Sequence, residues 1–543
     1  MNVLLTAMLP EIILSAMACV LILLGISTRT VSRRLAGQLA LLTLVVIFVM
    51  QFFATRRAGD VPVFDQWGTV HIDHFSNYIK LLAAGVGILL VLLNMPTNED
   101  GTGGSASNFG TDTGEFFGLL LLSMAGLFIV ASANDIILLF LGIELASIPT
   151  YIMVSISRPL PVAQEAGVKY FFLGAMSAAV MLFGFSYLYG TTGMTSLDAI
   201  GAQFASFSAP GRVDLSHWQL LAALMLIAGF AFKIAAVPMH VYAGDVYQGA
   251  ATPVTAFLAF VPKTSGFVAL IKVLYAVGGN SWAVPLPIVK LLWVLAVLTM
   301  TCGNVLGLLQ FNVKRVLAYS SIAHTGYMLA GVTALISTVD PAIQSESLQG
   351  VLFYLAAYGI MNVGAFGVLQ LLPSRTNRPA TSAETFEDLA GQGRKHVALG
   401  LAMAVACFSL TGLPLTIGFF GKLYLIKPAL HANLTGLVVI LVINAAISVA
   451  YYLRIVAAMF LRPEPTHFTA SGPAPAAIAR LIHPAPVVIA VILSVFGTLG
   501  LGVFIPATSS LSRRALQAAG FEQRSSVPPM AVAPANDPAG ASR

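Results

Sequence analysis

Runs of about 20 mostly apolar residues recur along almost the whole chain, and each is long enough to cross a bilayer as a helix. About fourteen such spans can be drawn by that rule. They fall near residues 3–26, 35–54, 75–95, 116–132, 134–155, 166–190, 217–238, 252–277, 287–309, 316–336, 348–372, 397–425, 434–460 and 486–506. The composition agrees: 57% of the residues are hydrophobic and 9% are charged, where ordinary globular chains carry about 25% charged residues. Run length and the lack of ten-residue alternation select helices over a β-barrel. The expected fold is an all-α polytopic membrane protein. No basic stripe with interleaved aromatics appears, so the net charge of +6 does not point to nucleic acid. Cys19, Cys302 and Cys407 lie far apart inside apolar runs, with no CxxC, and give no signal for zinc, iron–sulfur or a disulfide framework. The first 26 residues lack a basic n-region and carry Pro10 and Glu11, so a retained span is expected there, not a cleaved signal peptide.

Lys and Arg in short loops set the orientation. Arg29, Arg33, Arg34, Arg158, Lys314, Arg315, Arg375, Arg378, Arg394, Lys395, Arg462 and Arg480 all fall on one side of a fourteen-span chain, while Arg56, Arg57, Arg212, Arg513 and Arg514 dissent. The majority side is expected to be cytoplasmic, with both termini outside. Residues 96–115 and 191–216 read as loops, and 521–543 as a disordered tail. Two spans carry helix breakers: the seventh meets Pro238, and the twelfth contains Gly412, Leu413 and Pro414. Unwound backbone at membrane depth survives only inside protein or beside a water-filled cavity. In this count the breaks lie five spans apart, so two five-helix units would have opposite orientations, the inverted-repeat plan of many transporters. The expected sections are 1–115 (three spans and a polar loop), 116–277 and 287–460 (the two units), 461–520 (a last span) and 521–543 (the tail).

Ionisable residues inside these runs are the candidate site, because a charge at membrane depth is costly and usually serves ion or proton movement. Glu144 lies in the middle of the fifth span and Lys233 in the seventh. Burial disfavours a charged lysine and a nearby carboxylate favours it, so a movable Glu–Lys pair is a controllable proton donor. The plain alternative is a static ion pair that holds the broken helix. Lys263 lies near the centre of the eighth span and Lys422 in the second part of the twelfth. Lys272, nine residues beyond Lys263, falls on the opposite helix face about 13 Å further along. It is expected to reach the outer interface, as are Lys290 and Lys427. His240 and His324 are candidate relays, since histidine passes protons near neutral pH. Lys169 is either an inner-interface anchor, pairing with Glu165 four residues before it, or part of an entry path. No dinucleotide fingerprint, P-loop, haem or iron–sulfur ligand set is present, so oxidation of NADH or hydrolysis of ATP is not expected of this chain.

The segments FLGIELASIPTY, FKIAAVPMHVYAGDVYQGAATPVTAFLAFVPK, KRVLAYSSIAHTGYML and LTGLPLTIGFFGKLYLI resemble the antiporter-like membrane subunits of the proton-pumping NADH–quinone oxidoreductase, respiratory complex I. The resemblance runs from about residue 116 to 460. It implies fourteen helices, two inverted five-helix units and broken seventh and twelfth helices. It also implies a proton-carrying set of Glu144, Lys233, Lys263 and Lys422. The lysine at the last position resembles the N branch of these subunits more than the M branch, which has a glutamate there. No long C-terminal lateral helix of the L branch is readable. The implied function is a subunit of a proton translocase with no redox cofactor of its own. Flavin, iron–sulfur clusters and quinone would belong to partner subunits, and the partners would be other complex I membrane chains, the redox arm and lipid. The implied location is a bacterial inner membrane, with periplasmic termini. The competing expectation is a subunit of an Mrp-type cation/proton antiporter, which shares the fold.

Overall fold

Apolar run length sets the elements, and polar caps set their ends. A computed structural model describes residues 2–27, 29–57, 63–64, 68–96, 109, 112–206, 213–374, 383–463, 484–503 and 514. The N-terminal part holds α1 (Asn2–Ala7), α2 (Leu9–Gly25), α3 (Thr30–Arg57) and α4 (His74–Asn94). Between the last two, β1 (Val63–Phe64) pairs antiparallel with β2 (His71–Ile72) in the register Val63↔Ile72. Next come α5 (Thr113–Ser132), α6 (Ile136–Ile156), α7 (Pro161–Thr192), α8 (Leu197–Ser206), α9 (His217–Lys233), α10 (Ala243–Gly249) and α11 (Thr252–Val277). The following part holds α12 (Leu286–Leu308), α13 (Val313–Ser337), α14 (Pro341–Leu371), α15 (Phe386–Leu389), α16 (Gln392–Lys395), α17 (Val397–Thr411), α18 (Ile417–His431) and α19 (Thr435–Phe460), and α20 (Ala485–Val503) comes last.

Ten of these helices are long and apolar enough to cross a membrane, and Leu9–Gly25, His217–Lys233 and Val397–Thr411 are shorter apolar helices. The protein is thus a mostly helical, multi-pass membrane protein. Its helix starts follow the sequence closely. Asp135 accepts hydrogen bonds from Ile137 N and Leu138 N, and Ser216 and Gln219 form a reciprocal capping box. Pro161, Pro253 and Pro341 sit in first turns, where a missing N–H costs nothing.

The layering puts two helices at the centre. Every residue of α11 is buried, and α14 is buried over nearly all its circumference. An all-round apolar helix belongs in such a place. The α11 and α14 helices pack on each other and so join the first half of the chain to the second. The outer helices α7, α19 and α20 show large apolar residues such as Phe172, Phe183, Val442 and Phe496 on the surface.

Both expected breaks are present, although not at the prolines themselves. The α9 helix stops at Lys233, five residues before Pro238, and Ala235 takes a positive φ of 55°. The second break opens at Gly412, whose φ of +89° suits glycine, and α18 begins at Ile417. The first run, drawn as one helix over 3–26, is divided at Met8 into α1 and α2. The stretch 191–216, expected to be a loop, contains α8. Leu197, Ile200 and Phe204 are buried there, and α8 packs on α11. Ten residues are too few to register as a span. Within 96–115, Phe109 stacks on Phe116 with ring centroids 3.9 Å apart, and most of that stretch lies outside the described residues. The tail 521–543 and Arg212, Arg375, Arg378, Arg480 and Arg513 also lie outside them.

Candidate functional site

The site begins on α6. Glu144, Ser147 and Tyr151 follow at i, i+3 and i+7, so they share one helix face. Lys233, the last residue of α9, points its ammonium at that face. Lys233 Nζ donates to Glu144 Oε1 at 2.8 Å, to Ser147 Oγ at 3.1 Å and to Tyr151 Oη at 3.2 Å. The lysine side chain is 2% exposed and the glutamate 15%. All three ammonium donors are used, which is what a buried charge requires. Ending the helix at Lys233 also places a cation at its C-terminus, where the backbone carbonyls favour one.

A small cavity of about 10 Å³, the room one water centre needs, follows. Tyr170, Lys233, Tyr242, Tyr247, Pro262 and Lys263 line it. On its far side Lys263 Nζ donates to Ser321 O at 2.6 Å, Ser321 Oγ at 2.5 Å and Thr325 Oγ1 at 3.1 Å. Ser321 and Thr325 are one turn apart on α13. Tyr358 on α14 also donates to Ser321 Oγ, at 2.6 Å.

His324 lies between Ser321 and Thr325 in sequence and faces the second half. Its Nδ1 is 2.6 Å from Tyr354 Oη and its Nε2 is 3.0 Å from Tyr452 Oη. Tyr452 in turn bonds Ser320 Oγ. An imidazole held at both nitrogens can take a proton at one and release it at the other. Lys422, in the second turn of α18, donates to Thr411 O at 2.6 Å across the break and stands 4.9 Å over the Tyr327 ring. Its reach is set by Gly412, where an added Cβ would meet Lys422 Cδ at 2.9 Å.

Lys233, Lys263, His324 and Lys422 therefore fall into one buried row, with Glu144 partly exposed at its end. Among the described residues, Lys233 has a carboxylate partner while Lys263 and Lys422 are held by hydroxyls, carbonyls and tyrosine rings. Two expected relays lie outside the row. His240 is half-buried in the loop after α9, and its Nδ1 has no hydrogen-bond partner. Lys169 is largely exposed and pairs with Glu165 at 2.7 Å and Asp245 at 3.1 Å. Asp245 pairs onward with Arg315 at 2.7 Å.

One lysine lies where the sequence did not place it, and two charge clusters escaped the sequence reading. Lys272 does not reach an interface. It is buried and donates to Ala131 O at 2.6 Å and Ala133 O at 2.7 Å, capping the C-terminus of α5. Snorkelling presumes a helix with a lipid-facing side, and α11 has none. Lys80 on α4 pairs with Glu11 on α2 at 2.5 Å, and Ser132 Oγ donates to the same Glu11 oxygen at 3.1 Å. The second cluster joins separate loops: Glu384 Oε1 receives Arg158 Nη1 at 2.6 Å and Lys314 Nζ at 3.3 Å. Both cations also bond the carbonyls of Gln248 and Ala250 at the end of α10. Burial raises the Glu384 carboxyl, but the Lys314 and Arg158 charges outweigh it and hold the group below the usual carboxylate range. Lys290 is exposed, and Lys427 pairs with Glu346 at 2.7 Å near the surface.

Helical spans, two broken helices and a buried lysine row define an antiporter-like membrane protein. Residues 133–448 match the family described as NADH:quinone oxidoreductase/Mrp antiporter, TM. NADH-quinone oxidoreductase subunit N of Trichlorobacter lovleyi is 37% identical over 488 residues, covering 89% of this chain and 93% of that one. The protein of the same name from Myxococcus xanthus is 37% identical and covers 84% and 89%. A chain of respiratory complex I from Thermus thermophilus with bound aureothin superposes with a TM-score of 0.70 at 30% identity, covering 92% of this chain and 97% of that one. A chain of the Mrp complex from Dietzia sp. superposes with a TM-score of 0.76 at 19% identity over 95% and 98%, a likeness of fold alone. The chain belongs to the NADH-quinone oxidoreductase subunit N family.

Proposed function

We propose that this chain is a proton-translocating membrane subunit of a type I NADH–quinone oxidoreductase. The observation that carries the proposal is the buried row itself. A single carboxylate–lysine pair, Glu144–Lys233, stands at one end, and lysines without carboxylate partners among the described residues follow. Drawing Glu144 away would leave the Lys233 charge with only two hydroxyls, and its proton would then be driven toward Lys263. From Lys263 the proton passes by His324 to Lys422 and leaves on the outer side. Electron transfer to quinone in partner subunits supplies the energy by moving the charge around Glu144. No redox chemistry occurs in this chain. Flavin, iron–sulfur clusters and quinone belong to those partners.

The finer topology belongs to the same proposal. Fourteen spans form two inverted five-helix units, at 116–277 and 287–460, flanked by three N-terminal spans and one C-terminal span. The chain sits in a bacterial inner membrane among other antiporter-like and small membrane subunits, with both termini periplasmic. His240 and Lys169 serve outside the central row, with Lys169 at the entry side beside Asp245 and Arg315. Purification of the intact assembly tests the reading. Flavin and iron–sulfur subunits that co-purify with this chain, together with quinone-dependent proton uptake on NADH addition, support it. A redox-free assembly that exchanges sodium for protons would refute it.

A further inference from the structure

The row has a gap between Lys233 and Lys263, and its two sides differ in what they offer a proton. Three tyrosines border the cavity there. Tyr242 is committed, since its hydroxyl donates to Phe232 O at 2.9 Å. Tyr170 stacks on Tyr242 with centroids 5.1 Å apart. Tyr247 is different. Its hydroxyl lies 3.4 Å from Ser321 Oγ, the same oxygen that Lys263 Nζ touches at 2.5 Å. When Lys263 is charged, Ser321 accepts from Lys263 and from Tyr358 and its own proton points to Tyr247; when Lys263 is neutral, Ser321 turns that proton to the amine and accepts from Tyr247 instead. The three groups come from separate elements: Tyr247 from α10, Lys263 from α11 and Ser321 from α13.

We infer that Tyr247 and Ser321 are proton-transferring residues that carry the proton across the cavity from Lys233 to Lys263. This rests on the proposed function. In the transfer step the Lys233 ammonium gives a proton to a water in the cavity, and that water gives a proton to Tyr247 Oη. The phenol O–H bond breaks as its proton moves to Ser321 Oγ. The serine O–H bond breaks as its proton moves to the neutral amine of Lys263. Each hydroxyl ends with one proton, as it began, and the net change is one proton lost at Lys233 and gained at Lys263. The hydroxyls then turn back to their starting directions. No charged tyrosine or serine accumulates, which a buried, apolar setting would not tolerate.

The test uses the whole assembly in sealed vesicles, with proton translocation and electron transfer measured together. The variants are Y247F, S321A, S321T and K233A. Tyr247→Phe keeps the ring and the cavity wall and removes only the hydroxyl. Ser321→Thr keeps the hydroxyl. The expected result is translocation through the chain slowed by roughly tenfold or more in Y247F and S321A, with S321T near wild type. Subunit content and melting midpoint serve as controls, because a merely structural role would show there. Wild-type translocation in Y247F and S321A, with translocation lost in K233A, would overturn the relay and leave the proposed function standing. Wild-type translocation in all four would overturn both.

Discussion

Replacing Glu11 by alanine strands Lys80 inside the N-terminal helices. Both side chains are almost wholly buried, at 4% and 0% exposure, and Lys80 Nζ lies 2.5 Å from Glu11 Oε1. In a surrounding of effective dielectric near 20, two charges at that distance attract by about 7 kcal/mol. Desolvation of both ions offsets much of this, so the net loss on removing one partner should be about 3–5 kcal/mol. The two partners should not be equivalent. Glu11 keeps the Ser132 hydrogen bond when Lys80 is lost, and it borders a groove lined by Met8, Ile12, Cys19 and Val70. Lys80→Ala should therefore cost less, about 1–3 kcal/mol. The double variant E11L/K80L removes both charges and restores apolar packing, and it should fall within about 1 kcal/mol of wild type or be more stable. Melting midpoints of the purified assembly, arranged as a double-mutant cycle, measure this. An E11A protein that melts with wild type, or a double variant that costs the sum of the singles, would refute the reasoning.

Glu384→Gln leaves Arg158 and Lys314 facing each other and should destabilise by about 3–5 kcal/mol; limited proteolysis at 248–250 and 384 reads it. In the native protein the depressed Glu384 carboxyl gives a stabilisation that is complete above the usual carboxylate range, near 4.3. It is lost as pH falls through the lower folded value, so melting followed from pH 6 downward should show a drop that E384Q lacks. Lys272→Met removes two charge-assisted hydrogen bonds to the end of α5 and should cost about 2 kcal/mol or more, read as a lower melting midpoint. Gly412→Ala should cost about 1–2 kcal/mol for the left-handed backbone and push Lys422 aside, so proton translocation should fall more than stability does. Lys290→Ala should stay within about 0.5 kcal/mol of wild type.

The central row was legible because a charge in an apolar run has no ordinary reason to be there. Glu144, Lys233, Lys263 and Lys422 stood out on that ground alone, and His324 stood out by its hydroxyl-rich neighbourhood. The breaks were legible from Pro238 and from Gly412 to Pro414, although the turns open a few residues earlier. What the sequence hid were partners brought from distant elements. Ser321, Tyr358 and Tyr452 are neutral and common in membrane helices, so nothing local marks them. Their roles arise only when α13, α14 and α19 pack together. Lys80 escaped for a related reason: its counter-charge, Glu11, lies two spans earlier. Lys272 misled because its face of α11 was taken to meet an interface, whereas the helix is enclosed on all sides. His240 showed the opposite limit. It follows the break but sits half-buried in the loop after α9 and does not line the cavity between Lys233 and Lys263.

The most direct test of the account is the number of protons moved per electron by the intact assembly carrying Lys233→Ala, compared with wild type at equal NADH–quinone turnover. The account predicts a lower ratio in the variant, with the assembly complete. An unchanged ratio at unchanged turnover would contradict the claim that this buried row carries protons.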